Sequence, residues 1–192
     1  MRVSWNPTDI AGTWYEKYRK EVLNCSACPA RKECTSPVPG EGNIDADLVF
    51  VGRNPGRTED LTGRPFVGNA GQVFDQMLME YEVERPDVFV TNLYLCHTKG
   101  NRLPSIQEVR TCVPFLKRSL SAIKPKVVVT FGACTNWYFN GIQHVASHIG
   151  QVFRHKMGFH VIPSIHPAYV CYNRSQFFQL KKIMGVVIKL LE

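Results

Sequence analysis

The sequence predicts an α/β protein, a three-layer α/β/α sandwich around a central, mainly parallel four-stranded sheet. Three observations carry that expectation. Apolar, β-branched runs recur at 47–52, 88–92, 126–132 and 160–164, each closed by Gly, Asn or Ser, as strands buried on both faces are. Segments with helical apolar spacing lie between them, so each strand can return parallel to the last. No polar or repetitive stretch divides the 192 residues, of which 44% are hydrophobic, so 1–192 reads as one domain with one substantial core.

The first run, 47–52, opens into a glycine- and proline-rich loop, after which a helix is expected at 69–81. The second run ends at Asn92. A helix over 105–123 is announced by Ser105 and Glu108 at capping-box spacing and by Ile106, Val109, Val113, Leu116 and Leu120 on one face. Pro114 removes an amide donor inside it and predicts a kink just after Cys112. The run at 126–132 leads into a short helix at 133–139, and the run at 160–164 leads into a loop carrying His166. A last helix, 173–191, aligns Phe177, Leu180, Met184, Val187 and Leu191 as a core stripe. Ligands of open parallel sheets gather beyond the carboxyl ends of the strands. The Gly52 loop, Asn92 and His166 are therefore expected to meet in one crevice.

Lys and Arg outnumber Asp and Glu by 23 to 16, a formal charge of +7. The basic residues include Arg53, Arg57, Arg64, Lys99, Arg102, Arg154, Lys156 and Arg174 in or near expected loops, and a polyanion is their natural partner. No apolar run approaches the roughly 18 residues that a bilayer span requires, and Asn6, Asp9 and Glu16 interrupt the start of the chain, which lacks a secretory core. The expectation is a soluble intracellular monomer, cytoplasmic or nucleoid-associated, with no membrane partner.

Between Gly52 and Gly68 the chain reads Gly-Arg-Asn-Pro-Gly-Arg-Thr-Glu-Asp-Leu-Thr-Gly-Arg-Pro-Phe-Val-Gly. Its glycines permit close backbone approaches, while Pro55 and Pro65 restrict the chain around Asn54 and Phe66, as suits a rigid loop around a flat ligand. This stretch resembles the active-site region of the uracil-DNA glycosylase superfamily, above all its iron-sulfur, family 4-like branch. There a Gly-Glu-Ala-Pro-Gly block precedes a similar Glu-Asp and Gly-Arg-Pro-Phe-Val-Gly tail. The first block departs from that pattern: Arg53 stands where those enzymes have Glu, and Asn54 where they have Ala. The Asn-Pro-Gly order is similar to the mismatch-specific branch, in which Asn positions a water. The resemblance runs from Cys25 to about Arg174.

Cys25 and Cys28 form a Cys-x2-Cys pair, Cys96 follows the second expected strand, and Cys112 comes after an interval of 15 residues. Spacing alone leaves a zinc site or a disulfide open for the pair, although an odd count of seven cysteines argues against a disulfide scaffold. The resemblance implies that Cys25, Cys28, Cys96 and Cys112 hold a [4Fe-4S] cluster, so that the N-terminal segment is cluster-binding; soft thiolates are the usual ligands of such iron. Cys34 rivals Cys25 or Cys28 for a place, and Cys134 and Cys171 lie outside the pattern.

A glycosylase turns the target base out of the stack into a pocket that needs a stacking ring and hydrogen-bonding groups. The resemblance implies Phe66 as the stacker and Asn92 as the reader of uracil O4 and N3–H, a polarity that cytosine opposes, with Gly52 beside them. It implies His166, in Ile165-His166-Pro167-Ala168-Tyr169, as the group whose imidazole N–H stabilises charge on uracil O2 as the bond breaks. Asn54 would orient the attacking water, and Glu59 and Asp60 would support the loop or supply a base. Arg57, Lys99, Arg102 and Arg174 would meet the DNA backbone, with Tyr169 and Val170 where relatives place a wedge. Ordinary roles stay open for the same residues: Phe66 as core, Asn92 as a strand-end cap, Asn54 as a turn former. A cation at position 53 would oppose a developing oxocarbenium ion. Arg53 is therefore expected to turn aside, or to mark a protein that has lost the reaction.

The implied function is excision of uracil or a related deaminated base from DNA by hydrolysis of the N-glycosidic bond, leaving an abasic site. DNA containing such a base is the expected partner, with replication or repair proteins as further ones. Two alternatives stay open: a catalytically inactive DNA-binding or replication-associated module, and a glycosylase with altered lesion specificity, such as hypoxanthine, xanthine or mismatched uracil.

Overall fold

The computed structural model describes residues 12–142 and 144–192; Asn6 and Asp9 lie outside them. In chain order the elements are α1 (Trp14–Leu23), β1 (Glu41–Gly42), β2 (Leu48–Gly52), α2 (Arg57–Thr62), α3 (Asn69–Met79), β3 (Phe89–Asn92) and α4 (Ile106–Ile123). There follow β4 (Val127–Phe131), α5 (Ala133–Asn140), β5 (Phe153–Arg154), β6 (His160–Ser164), α6 (Pro167–Tyr172) and α7 (Phe177–Leu191). The four expected strands form the parallel centre in the order β3-β2-β4-β6. The expected strand count needs correcting: the sheet has six strands, because β1 and β5 pair antiparallel onto its two edges. Each is two residues long, too short to leave a periodic signal in the sequence. Gly42 is required at its place, since its φ is 119° and a Cβ there would lie 1.9 Å from the Val88 carbonyl oxygen.

Strand β2 shows how the layers form. Val49 and Val51 face one core with Tyr15, Tyr18 and Val22 of α1 and Leu116 and Leu120 of α4. Leu48 and Phe50 face the opposite core with Phe74 and Met77 of α3 and Leu180 and Met184 of α7. Both faces being apolar, the strand reads as a continuous hydrophobic run, and each fully buried side chain of this size contributes about 1.5–3 kcal/mol.

At α4 the capping box is present: Glu108 N donates to Ser105 Oγ at 3.2 Å, and Ser105 N donates to Glu108 Oε2 at 2.7 Å. The helix continues unbroken through Pro114, which is exposed. The last helix begins at Phe177, later than expected, after a 3-10 turn at Arg174–Gln176. No helix among the described residues is long and apolar enough to cross a membrane.

Candidate active site

Beyond the carboxyl ends of β2, β3, β4 and β6 lies a cavity of about 410 Å³. Asn54, Phe66, Asn92 and His166 all line it, and Arg53, Glu59 and Asn101 join them. Gly52 makes the convergence possible. A Cβ on it would stand 2.4 Å from Asn92 Oδ1 and 2.6 Å from Phe66 Cζ, so both side chains occupy space that any other residue would fill.

Phe66 adopts a φ of 51°, a conformation that costs a non-glycine residue of order 1–3 kcal/mol unless its surroundings hold it. Three contacts do so. Arg85 Nη1 donates to the Phe66 carbonyl at 3.0 Å, and its Nη2 donates to the Pro65 carbonyl, while Glu41 and Asp75 neutralise the guanidinium. Glu59 Oε1 accepts from the amides of Val67 and Gly68 at 2.9 and 2.8 Å. Gly71 lets α3 approach, since a Cβ there would meet the Phe66 carbonyl oxygen at 2.0 Å. The neighbouring Asp60 accepts the Thr35 amide through both oxygens, tying the loop to the cysteine-bearing segment.

The His166 ring lies 5.8 Å from the Phe66 ring, inclined by 20°, so that two nearly parallel rings share a wall of the cavity. As N-cap of α6, its Nδ1 accepts the Ala168 amide at 3.1 Å. An accepting Nδ1 leaves the proton of the neutral ring on Nε2, which becomes the donor. Burial, and secondly the charge of Arg53, push the imidazole down to about 4, while Glu59 opposes them. His166 is therefore neutral near pH 7.

Arg53 does not turn away as expected: it lines the cavity, and its donors are taken up by neighbours there. Its Nε donates to Asn54 Oδ1 at 2.6 Å, and its Nη2 donates to Asn101 Oδ1 at 2.8 Å and to the Asn101 carbonyl at 3.2 Å. Asn54 Nδ2 donates to the Pro55 carbonyl at 3.0 Å and to Asn101 Oδ1 at 3.2 Å. Asn101, itself at a φ of 56°, is a pocket residue that sequence reasoning missed. The only signal for it was its place in the basic stretch between Lys99 and Arg102.

Of the cations expected on DNA, Arg57, Lys99 and Arg174 are exposed and form no ion pair among the described residues; Tyr169 is half exposed, whereas Val170 is buried in the core and cannot serve as a wedge. Arg102 differs. Its guanidinium bonds Glu33 at 2.5 Å and Glu108 at 2.8 Å, bracing the cysteine-bearing segment against the start of α4. Lys99 N also donates to Glu33 at 2.8 Å.

Cys34 and Cys96 are buried in contact with each other, with Cys28 packed against them. The closeness of the two thiols lowers Cys34, with help from Arg31, and raises Cys96. Burial lifts Cys112 to about 11, and the nearby Cys28, Cys25 and Cys34 add to that. Five thiols thus gather between the N-terminal segment, the 96–102 loop and α4. No group of three or more His, Cys, Asp or Glu among the described residues is arranged to hold a single metal ion.

The family model of the uracil DNA glycosylase superfamily matches residues 39–186. A Type-4 uracil-DNA glycosylase of Thermotoga maritima is 38% identical over 167 residues, covering 86% of this chain and 86% of its own length. One from Archaeoglobus fulgidus is 39% identical over 162 residues, covering 80% and 81%, and one from Sulfurisphaera tokodaii is 38% identical over 178 residues, covering 88% and 79%. With a match over that length, the chain belongs to the uracil-DNA glycosylase superfamily.

Proposed function

We propose that the protein is a DNA glycosylase that removes uracil or a related deaminated base by hydrolysing the C1′–N1 bond, leaving an abasic site. The observation that carries this reading is the convergence of Phe66, Asn92 and His166 on one cavity large enough to admit a base. An everted uracil lies flat against Phe66, with its O4 and N3–H facing the Asn92 amide, which makes no side-chain hydrogen bond among the described residues. As the bond breaks, negative charge grows on O2, and the neutral His166 donates Nε2–H to it. Asn54 Oδ1 retains a lone pair beyond the Arg53 bond, and that lone pair orients the water. Amide basicity suffices because the sugar cation forms before the water attacks.

Two features reconcile Arg53 with this chemistry. Its donors are drawn to Asn54 and Asn101, and Glu59 places a carboxylate in the same cavity, with Oε1 on two amides and Oε2 directed to Gly56. Arg57, Lys99, Arg174 and Tyr169 meet the flanking DNA, while Arg102 acts as a brace.

Cys25, Cys28, Cys96 and Cys112 would hold a [4Fe-4S] cluster. All-thiol donors suit iron, and a cubane spreads its ligands more widely than a single ion does, which fits thiols that gather without converging on one point. Bound there, the cluster would act as a staple between three segments of chain.

Incubation with uracil-containing oligonucleotides, followed by alkaline cleavage, tests the reading; strand breakage at the uracil is expected. A second reading rests on Arg53: tight DNA binding with no breakage on any deaminated base would mark an inactive binding module.

A further inference from the structure

A second cavity, of about 440 Å³, lies between α4, the end of α5 and the 154–157 turn, outside the site described above. Leu116, Leu120 and Phe139 form its floor, Tyr138 and His155 add ring faces, and Lys117, Arg154 and Lys156 stand at its rim. None of these three cations forms an ion pair among the described residues, and no acidic side chain lines the cavity. His155 stacks on Phe159 at 4.5 Å and 11°, which fixes its ring. Burial first, then the charges of Lys156 and Lys117, push that ring below the ordinary imidazole pKa.

Helix α5 joins this cleft to the catalytic cavity. Ala133 and Cys134 at its start line the catalytic cavity, and Tyr138 and Phe139 near its end line the cleft. Its eight residues make it about 12 Å long. Between them Trp137 is 53% exposed, four residues after Ala133 and three after Cys134, hence on their side of the helix. Cations without partners, an exposed indole and ring faces in sequence are the elements with which proteins hold a single strand, phosphates on the charges and bases on the rings.

We propose that a single strand of DNA leaving the catalytic cavity runs along α5 across Trp137 and seats a nucleotide in this second cleft. Its phosphates meet Lys117, Arg154 and Lys156, and its base lies on Tyr138 and His155. This rests on the reading of the first cavity as the seat of an everted base.

The test is binding of single strands that carry a stable abasic-site analogue and either end there or extend several nucleotides to the 3′ or the 5′ side. Parent protein is expected to bind one extended strand at least about tenfold more tightly than the short one, with quenching of Trp137 fluorescence that Trp137→Phe abolishes. The triple variant Lys117→Glu, Arg154→Glu, Lys156→Glu is expected to lose the gain from extension and to keep parent affinity for the short strand. Its dependence of log affinity on log salt should flatten by roughly 2, at about 0.7 per phosphate. Equal affinity of parent for short and extended strands would overturn the proposal, as would equal losses on both strands in a triple variant that melts as the parent does. So would an acidic peptide that competes for the cleft where extended strands do not. Excision of uracil from a short strand reports separately on the first cavity, and the length dependence of binding does not require it.

Discussion

Arg53 Nε donates to Asn54 Oδ1 at 2.6 Å, so the cation expected to oppose the reaction and the residue that would orient the water form one unit. Asn101 closes the unit by accepting from both. Arg53→Ala is expected to lower kcat roughly tenfold to a hundredfold with KM little changed, since a hydrogen bond to a charged group contributes about 1.5–3 kcal/mol and this one positions a group that acts in the transition state. The same variant removes one of the two causes that hold His166 down. The acid limb of its pH–rate profile should move to higher pH, and an unmoved limb would show that Arg53 does not reach the imidazole.

His166→Ala removes the donor aimed at the leaving group. Losing one such donor typically costs about 10²–10³ in kcat, so single-turnover excision should slow by that factor while binding of a uracil-containing strand changes little. A variant as fast as the parent would exclude His166 from the chemistry.

The same imidazole imposes a pH dependence on folding. Its folded value, about 4, lies below the ordinary 6.5, so between those limits the unfolded chain binds the extra proton. Stability should rise with pH from 4 to 6.5 and level off above, with a ceiling of about 3 kcal/mol from this group. Urea unfolding at pH 4.5 and pH 7 measures the difference, and His166→Asn should reduce it.

Arg85 lies outside the cavity but holds the Phe66 loop through two carbonyls. Its loss leaves Glu41 and Asp75 without that partner and Phe66 in an unfavourable φ with less to hold it. Arg85→Ala should cost about 3–5 kcal/mol, as breaking a buried pair does, less what exposure of Asp75 returns. Arg85→Lys can restore charge but not the fork that reaches both carbonyls, so it should recover part of the stability and little of the base affinity. Full recovery of affinity by Lys would reduce Arg85 to a charge.

The parallel centre was legible because each strand is buried on both faces, and β2, β3, β4 and β6 were read to within a residue or two of their ends. The loop, Asn92 and His166 were legible as strand-end features, which parallel topology necessarily brings to one side. What escaped were contacts that depend on distance in space. Asn101 sits 48 residues from Arg53 in the sequence, and nothing in its neighbours announces that it will accept from Arg53. Arg102 reads as a free cation until Glu33, 69 residues away, is seen to bond it. Helices α2 and α6, six residues each, are too short for periodicity to register, whereas α1 went unread although Tyr15, Tyr18 and Val22 carry a helical signal.

Gly52 gives the sharpest test of the cavity itself. Its φ is not in the left-handed region, so alanine fits the backbone there; the obstacle is the Asn92 oxygen at 2.4 Å and the Phe66 ring at 2.6 Å from the new methyl. One or both must move, at about 1–3 kcal/mol, and they are the groups that would read and stack the base. Gly63→Ala is the matched control, because Gly63 has a φ of 70° with open space around its Cβ position, so the cost there is backbone strain alone. Gly52→Ala is expected to fold and to lose at least about tenfold in affinity for uracil, while Gly63→Ala loses stability and keeps affinity. If Gly52→Ala bound uracil as the parent does, Phe66 and Asn92 would not be the seat of the base.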